Sequence, residues 1–507
     1  MNLLRLANST SVDVREVPRL APEVFAETVH AQLEGGARAS ALFGMPEALL
    51  PDAAPGGGLR VLAVLARDNE HELVACSMTV TERFLSLTPL HPQLHRFERE
   101  IYEQWGVLPE EHPWLKPVRF ELSHDPELRA RAERPRVGVT DFFRVAGSEI
   151  HEVAVGPVHA GIIEPGHFRF QCHGEDVYHL EIAHGYQHRG VERALLDGPN
   201  RRSLHYAETL AGDTTVGHSL AYAQAVEALS SVTVPPRARG LRAVALELER
   251  LANHTGDLGA LAGDVGFLPT AAYCGRIRGD FLNLTALLCG SRFGRGLLVP
   301  GGVGFDIDAA RAAALVERLD AAVSDLTSAL DLLFETQSAM ARFAGAGALT
   351  TEIGRDIGLV GPAARASAIA RDVRHDYPLP LDPLATIPMA TADGGDVHAR
   401  ALVRRLETQR SATFVRAQTL TLPEGPISRP CAQLQPHRLT VALVEGWRGE
   451  ICHVAVTNAA GRFLRYKVVD PSFHNWAGLA LAMRDQQISD FPLCNKSFNL
   501  SYCGQDL

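Results

Sequence analysis

Residues 309–343, AARAAALVERLDAAVSDLTSALDLLFETQSAMARF, decide the fold class. Apolar side chains recur along this stretch at i, i+3, i+4 and i+7, the period of one helix face. The pattern is too long for an isolated surface helix, so it predicts a core element of a helix bundle. Toward the N-terminus, RIRGDFLNLTALL (276–288), RAVALELERLANHTGDLGALAG (242–263) and AYAQAVEAL (221–229) share the period. The helical region thus runs from Gln187 to about residue 345. Before it, EIHEVAVGPVH (149–159), GHFRFQC (166–172) and DVYHLEI (176–182) alternate with period 2 and predict a short sheet. After it, 377–395 is rich in Pro, Gly and Asp and reads as an extended loop. LTVALVEG (439–446), CHVAVTN (452–458) and LRYKVVD (464–470) then read as strands, followed by a helix at 475–485 and a coiled tail.

The first ~130 residues read as a small α/β unit. Residues 23–34 have helical periodicity and stop at Gly35-Gly36. PDAAPGGG (51–58) separates them from LRVLAVLA (59–66), a run short enough for a buried strand, with LVACSMTV (73–80) as its partner. RFEREIYEQWG (96–106) predicts a helix closed by Gly106. The charged, Pro-punctuated stretch 122–138 reads as a linker. The expected organisation is α+β: a small α/β domain at 1–125, a linker at 126–147, and a larger domain at 148–507 that combines a short sheet with a central helix bundle.

The 507 residues are 46% hydrophobic and 21% charged, an ordinary globular composition, with a formal net charge of −10. That acidic balance argues against nucleic acid as a partner. The eight Cys contain no CxxC pair, which excludes a zinc ribbon, a thioredoxin-type redox pair and an iron–sulfur ligand run. Cys172, Cys274, Cys289 and Cys452 lie in apolar contexts and read as small buried hydrophobes. No apolar run approaches the ~18 residues of a membrane span, and no signal-peptide h-region is visible, so the expected place is cytoplasmic. Dinucleotide, P-loop, HExxH, EF-hand and GxSxG signatures are absent from the sequence. Nine of the 21 His fall between His151 and His218. There, His159 and His167 flank one turn, and HGYQHRGVE carries His184, His188, Arg189 and Glu192. Titratable His beside an Arg and a Glu suit a proton relay or a ligand site; the alternative is His that merely satisfy backbone groups near strand turns.

Two stretches carry a family resemblance. SLTPLHPQLHRFEREIYEQWGVLPEEHPWLKP (86–117), through Glu98, Arg99, Glu100, Tyr102, Trp105, Gly106, His112 and Pro113, resembles the signature of the C-type (30 kDa-type) subunit of complex I. GPVHAGIIEPGHFRF, HGYQHRGVE, HSLAYAQAVE, LELERLANHTGDLGALAGDVGF, PGGV and GLVGPAARASAIARDVRHDYP follow in the order of the D-type subunit of complex I, whose fold is that of [NiFe]-hydrogenase large subunits. The fusion of C-type and D-type parts resembles the large subunit of formate hydrogenlyase and hydrogenase-4 complexes.

The resemblance implies site residues one at a time. The four nickel–iron thiolate positions fall on Ala211, Thr214, Ser501 and Gly504, with Cys503 one residue out of register. None of the four is Cys, so the expectation is no nickel–iron centre and no metal held by this chain. In complex I the same cavity binds a quinone headgroup, which makes His167 the quinone His, His159 the first His of that loop, and Asp264 the supporting carboxylate. His188 and Arg189 match the residues near the iron–sulfur cluster of a partner small subunit, and Glu192 matches a proton-carrying Glu. The quinone Tyr falls on Gly212, whose neighbours Asp213 and Thr214 offer polar groups; His218 completes the cavity. The resemblance also implies membrane-embedded antiporter-like partners, attachment to the cytoplasmic face of a membrane through them, and no cofactor on this chain beyond a possible quinone. Two functions stay open: a redox subunit handing electrons to a quinone-like acceptor, and a non-catalytic subunit that couples partners to ion translocation. The Arg residues of RASAIARDVRHD (365–376) read as interface and structural ion pairs.

Overall fold

The computed structural model describes residues 3–53, 57–131, 135–161 and 163–507. The middle of the predicted 51–58 break (54–56), part of the predicted linker (132–134) and position 162 lie outside them.

Leu59–Arg67 forms a strand buried at every position from Leu59 to Ala66, as a continuous apolar run requires when both faces are covered. With β1 Leu4–Leu6, β2 Ser11–Asp13, β3 Arg19–Leu20 and β4 Arg38–Pro46 preceding it, this is β5, and β6 is Glu72–Val80. The sheet order is β1-β6-β5-β4, with β3 added in parallel to β6. Helix α1 (Pro22–Glu34) lays Phe25, Val29 and Leu33 against it. Helix α2 (His95–Trp105) packs on β4 and ends where Gly106 adopts φ 73°, the left-handed cap that glycine takes at least cost. A Cβ on Gly106 would also lie 2.5 Å from the Leu128 side chain.

Helix α2 buries Arg96, Glu98, Arg99 and Glu100, so the charges that mark the C-type resemblance face inward. Each is satisfied. Glu98 accepts from the Leu87 amide at 2.8 Å and the Thr88 hydroxyl at 2.6 Å. Arg96 donates to Phe473 O at 2.6 Å, Arg99 donates to Lys116 O at 2.7 Å, and Glu100 pairs with Arg119 and with Lys467 at 2.7 Å. The signature therefore ties the N-terminal region to the C-terminal one.

Strands β7 (Ile150–Val155), β8 (His167–His173) and β9 (Asp176–Ala183) form the predicted short antiparallel sheet, with β8 central. Helices α3 (Thr215–Ser230), α4 (Pro236–Asp264), α5 (Leu268–Cys289), α6 (Ala309–Glu335) and α7 (Val397–Leu420) follow, and α4 to α7 pack side by side as a four-helix bundle. The fold is the expected α+β arrangement of sheets around a central bundle. Helix α6 buries Leu315, Leu319, Ala322, Leu326, Leu330 and Leu333, one stripe of the opening pattern. The stretch read as one helix breaks at Thr336, which is extended (ψ 100°) and turns its hydroxyl back onto Leu332 O at 2.7 Å. A separate helix, Gln337–Phe343, completes the pattern.

Strands β10 (Arg438–Gly446), β11 (Gly449–Thr457) and β12 (Phe463–Val469) form a sheet whose fourth strand is β2, paired antiparallel to β10 through Val12 and Leu439. One hydrophobic core holds β4 to β6 together with Leu439, Val454, Val469 and Phe473. Helix α8 spans Pro471–Ala482, starting four residues before the expected position because the Asp470 carboxylate caps it. The tail is not coiled: α9 (Phe491–Phe498) and the short helix Tyr502–Asp506 are both buried. Among the described residues, no helix is long and apolar enough to cross a membrane.

Candidate functional site

A cavity of about 900 Å3 lies between the β7–β8 loop, one face of α4 and the segment 488–502. Its polar wall starts from a helical repeat. Glu249, Asn253 and Asp257 are spaced by four residues and share a face of α4. The Asn253 amide donates to Asp213 O at 2.9 Å, fixing the turn that precedes α3. Glu249 accepts from the Val216 and Gly217 amides at 2.7 and 3.1 Å, first-turn N–H groups that have no partner inside their helix. Burial nevertheless pushes its carboxyl up to about 8, so Glu249 holds a proton at neutral pH.

Glu249→Gln removes that proton; Val216 N and Gly217 N bond different carboxyl oxygens, so the single Gln oxygen keeps one of these bonds and the loss of the other is the same at every pH. Between an unfolded value near ~4.3 and about 8, folding of the wild type takes up a proton, so its stability falls as pH rises. The variant lacks that slope. Urea titrations at pH 5 and pH 8 are expected to show the variant gaining about 1–3 kcal/mol on the wild type over that interval; parallel curves would refute it.

Asp213 forms a bidentate pair with Arg448 at 2.5 and 2.7 Å. Burial opposes its ionised form, but Arg448 outweighs that and holds the carboxyl below its ordinary range. Arg448 also donates to Thr214 Oγ1 at 3.1 Å and stacks 3.9 Å over the Trp447 ring. Deeper in the wall, Asp257 pairs with Arg404 at 2.7 Å.

The sequence-predicted residues fall into three places. The segments 211–214 and 501–504, remote in sequence, converge: Arg189 donates to Thr209 O at 2.6 Å, Leu210 O at 2.9 Å and Cys503 O at 3.4 Å. At the four positions where the resemblance places metal ligands there are two hydroxyls and no thiolate. Thr214 accepts from Trp447 Nε1 at 3.1 Å, and Ser501 accepts from the Gly504 amide at 2.9 Å. A Cβ on Gly504 would lie 2.7 Å from the Asp470 carboxylate, whereas nothing lies within 4 Å of a Cβ on Gly212. Burial pushes the Cys503 thiol up to about 12, which keeps it protonated. This donor set does not fit a nickel–iron centre, which needs soft thiolate ligands.

His159 and Asp264 line the cavity with Asp213. The His159 Nε2 is buried without a protein partner, and burial lowers the ring's pKa, leaving a neutral imidazole. Asp264 ends α4, and its carboxyl is pushed up by burial although Lys496 opposes the shift. His167 does not line the cavity: it opens β8, meets Gly156 O at 3.4 Å and packs on Phe142. No hydrogen bond joins His167 to Asp264 among the described residues. Ile163, four residues after His159, lines the cavity instead.

The remaining predicted residues are structural in their contacts. His188 Nδ1 meets Asp506 O at 2.7 Å, and the Arg189 and Gly190 amides donate to Leu507 O. Thus HRG grips the helix Tyr502–Asp506. Glu192 accepts from Arg465 at 2.8 Å and from Lys467 at 3.1 Å. Burial opposes its charge, but Lys467 and then Arg465 hold the carboxyl well below its usual range, so it is an ionised, pinned group. His218 is fully buried between Asp470 at 2.9 Å and His453 at 3.1 Å, and His453 meets the Tyr466 hydroxyl at 2.9 Å.

Sequence reasoning missed Glu249, Asn253, Asp257, Arg448 and Tyr502. The four-residue polar repeat inside an otherwise buried helix was the available signal for the first three. Tyr502 lines the cavity with its ring centroid 6.2 Å from that of His159. Burial pushes its phenol up to about 12, so it stays a hydrogen-bond donor.

The fold is shared with a chain of the membrane-bound sulfane sulfur reductase, an archaeal respiratory membrane complex: TM-score 0.66 and 23% identity over 71% of this chain and 99% of that one. Formate hydrogenlyase subunit 5 of Escherichia coli (strain K12) is 29% identical over 439 residues, covering 83% of this chain and 76% of the relative. The carbon monoxide-induced hydrogenase of Rhodospirillum rubrum is 31% identical over 350 residues, covering 69% of this chain and 97% of the relative. Residues 264–439, helices α5 to α7 among them, match the family model of the respiratory-chain NADH dehydrogenase 49 kDa subunit. The chain belongs to that family, with the hydrogenases related to it.

Proposed function

We propose that this chain is the large subunit of a membrane-associated, complex-I-like oxidoreductase. It passes electrons from an iron–sulfur partner subunit to a quinone-like acceptor and performs no nickel–iron chemistry. The observation that carries the reading is the cavity itself. It sits where the segments around Asp213 and Tyr502 meet, and it is lined by His159, whose Nε2 is buried without a protein partner, and by Tyr502, whose buried phenol stays protonated. Two such side chains in the wall of one cavity suit an acceptor whose oxygens gain charge on reduction, once each turns its polar atom inward. Tyr502 thus supplies the phenol missing at Gly212. A quinone takes up two electrons and two protons to become a quinol. Glu249 holds a proton at neutral pH one helical turn from Asn253, which lines the cavity and donates to the Asp213 and Glu249 carbonyl oxygens at 2.9 Å each.

The test uses the complex purified with its partner subunits. Tyr502→Phe and His159→Gln are each expected to lower reduction of a soluble quinone by roughly 10–100-fold with assembly intact. Unchanged turnover in both would shift the reading to a coupling subunit without an acceptor site. Nickel analysis of the same preparation is expected to show none; one nickel per chain would overturn the second half of the proposal. Arg189→Met is a poor probe, because Arg189 also holds the 209–210 segment to Cys503.

A further inference from the structure

Far from the cavity, two residues of α1 and one of the turn before α2 meet. His30 and Glu34 are four residues apart and share a face of α1. His91 brings its Nε2 to 2.8 Å from His30 Nδ1. Potential ligand atoms of His30, Glu34 and His91 all lie within 4.8 Å of one another. We propose that these three residues form a site for a divalent transition-metal ion of the Zn2+ type.

The chemistry selects the ion. Two imidazoles and one carboxylate are a zinc donor set, whereas Mg2+ and Ca2+ take oxygen ligands. Zinc–nitrogen bonds of about 2.0–2.1 Å place two tetrahedral ligand atoms about 3.3 Å apart, so the His pair needs to open by only about half an ångström. The placement suits a bound ion: His91 is buried, His30 half-buried and Glu34 exposed. The site is closed toward the core at His91 and open to solvent at Glu34.

An ion here would pin α1 to the turn that carries Gln93. That side chain accepts from the Ala39 amide of β4 at 2.9 Å and packs at Gly358 of the C-terminal half. The site would brace the junction between the N-terminal sheet and the larger part of the molecule.

The test is titration of the chelator-treated full chain with Zn2+, and with Co2+ as an optical probe. Expected are one ion per chain and the visible bands of four-coordinate Co2+, lost in His91→Ala. Glu34→Gln, at an exposed position that leaves the fold alone, is expected to weaken binding at least tenfold. No binding by the wild type, or equal binding by the wild type and Glu34→Gln, would overturn the site and leave a hydrogen-bonded His pair only.

Discussion

Glu407→Gln is expected to destabilise the protein by about 3–5 kcal/mol, the cost of stranding buried charges. Glu407, on α7, accepts from Arg365 at 2.7 Å and His254 at 2.6 Å, and Arg250 stands 3.5 Å away. Arg365 and Arg250 are fully buried, so water cannot replace the lost carboxylate. Burial opposes the charge on Glu407, but Arg365 foremost holds its carboxyl well below the usual range. Its neighbour Glu445 offers the control. It accepts from the same Arg365 at 2.7 Å, yet burial pushes its carboxyl up to about 7, with Asp372 adding repulsion. At pH 7 Glu445 is only partly ionised, so Glu445→Gln is expected to cost about 1 kcal/mol. The contribution of Glu407 is complete above its unfolded value near ~4.3 and is lost as pH falls toward its depressed folded value. Acid unfolding of the wild type is therefore expected to be steeper than that of Glu407→Gln. Equal losses in the two Gln variants by chemical denaturation would contradict this account.

The same cluster shows where the sequence was legible. RASAIARDVRHD reads as ion pairs, and Arg365, Asp372 and Arg374 are buried members of one network. Helix α7 was not visible as a helix. Its inward face carries Arg400, Arg404, Glu407 and Ser411, so the polarity that normally marks the solvent side marks the core here. Helix α6 and strand β5 were visible because burial there is apolar and periodic. The pairing of β2 with β10 joins residues more than 400 positions apart, and no local pattern encodes it. The buried tail read as coil because short helices such as Phe491–Phe498 show too few turns for a period to emerge.

The site was legible in kind and less so in its members. His159, Asp213 and Asp264 line the cavity, while His167 starts a strand. Resemblance locates a segment well, but the side of a strand or turn that a residue occupies depends on register, and a loop of altered length moves it. Arg448 sits in the turn between β10 and β11, 235 residues from its partner Asp213, and nothing near either residue announces the pair.

That pair carries the second large effect. Arg448→Met is expected to cost about 1.5–3 kcal/mol, because Asp213, half-buried in the cavity wall, loses both guanidinium bonds. The Asp213 side chain is 32% exposed, so water recovers only part of what Arg448 supplied. The residual hydrogen bond from Thr214 at 3.2 Å is too little to hold the charge, and the Asp213 carboxyl should rise from its depressed value. Stability of the variant is then expected to improve as pH falls and Asp213 takes up a proton, the reverse of the wild-type trend at this pair. Adding Asp213→Asn removes the orphaned charge and should recover most of the loss, since a pair removed whole is nearly neutral where a broken one is not. If the double variant were no more stable than Arg448→Met, the dominant role of Arg448 would instead be its stacking on Trp447 and its bond to Asn499 O. In the assembled complex the double variant also separates wall from ligand. With Asp213 neutral and still hydrogen-bonded to the turn, a loss of quinone turnover beyond that explained by stability would place the charge pair in the acceptor chemistry.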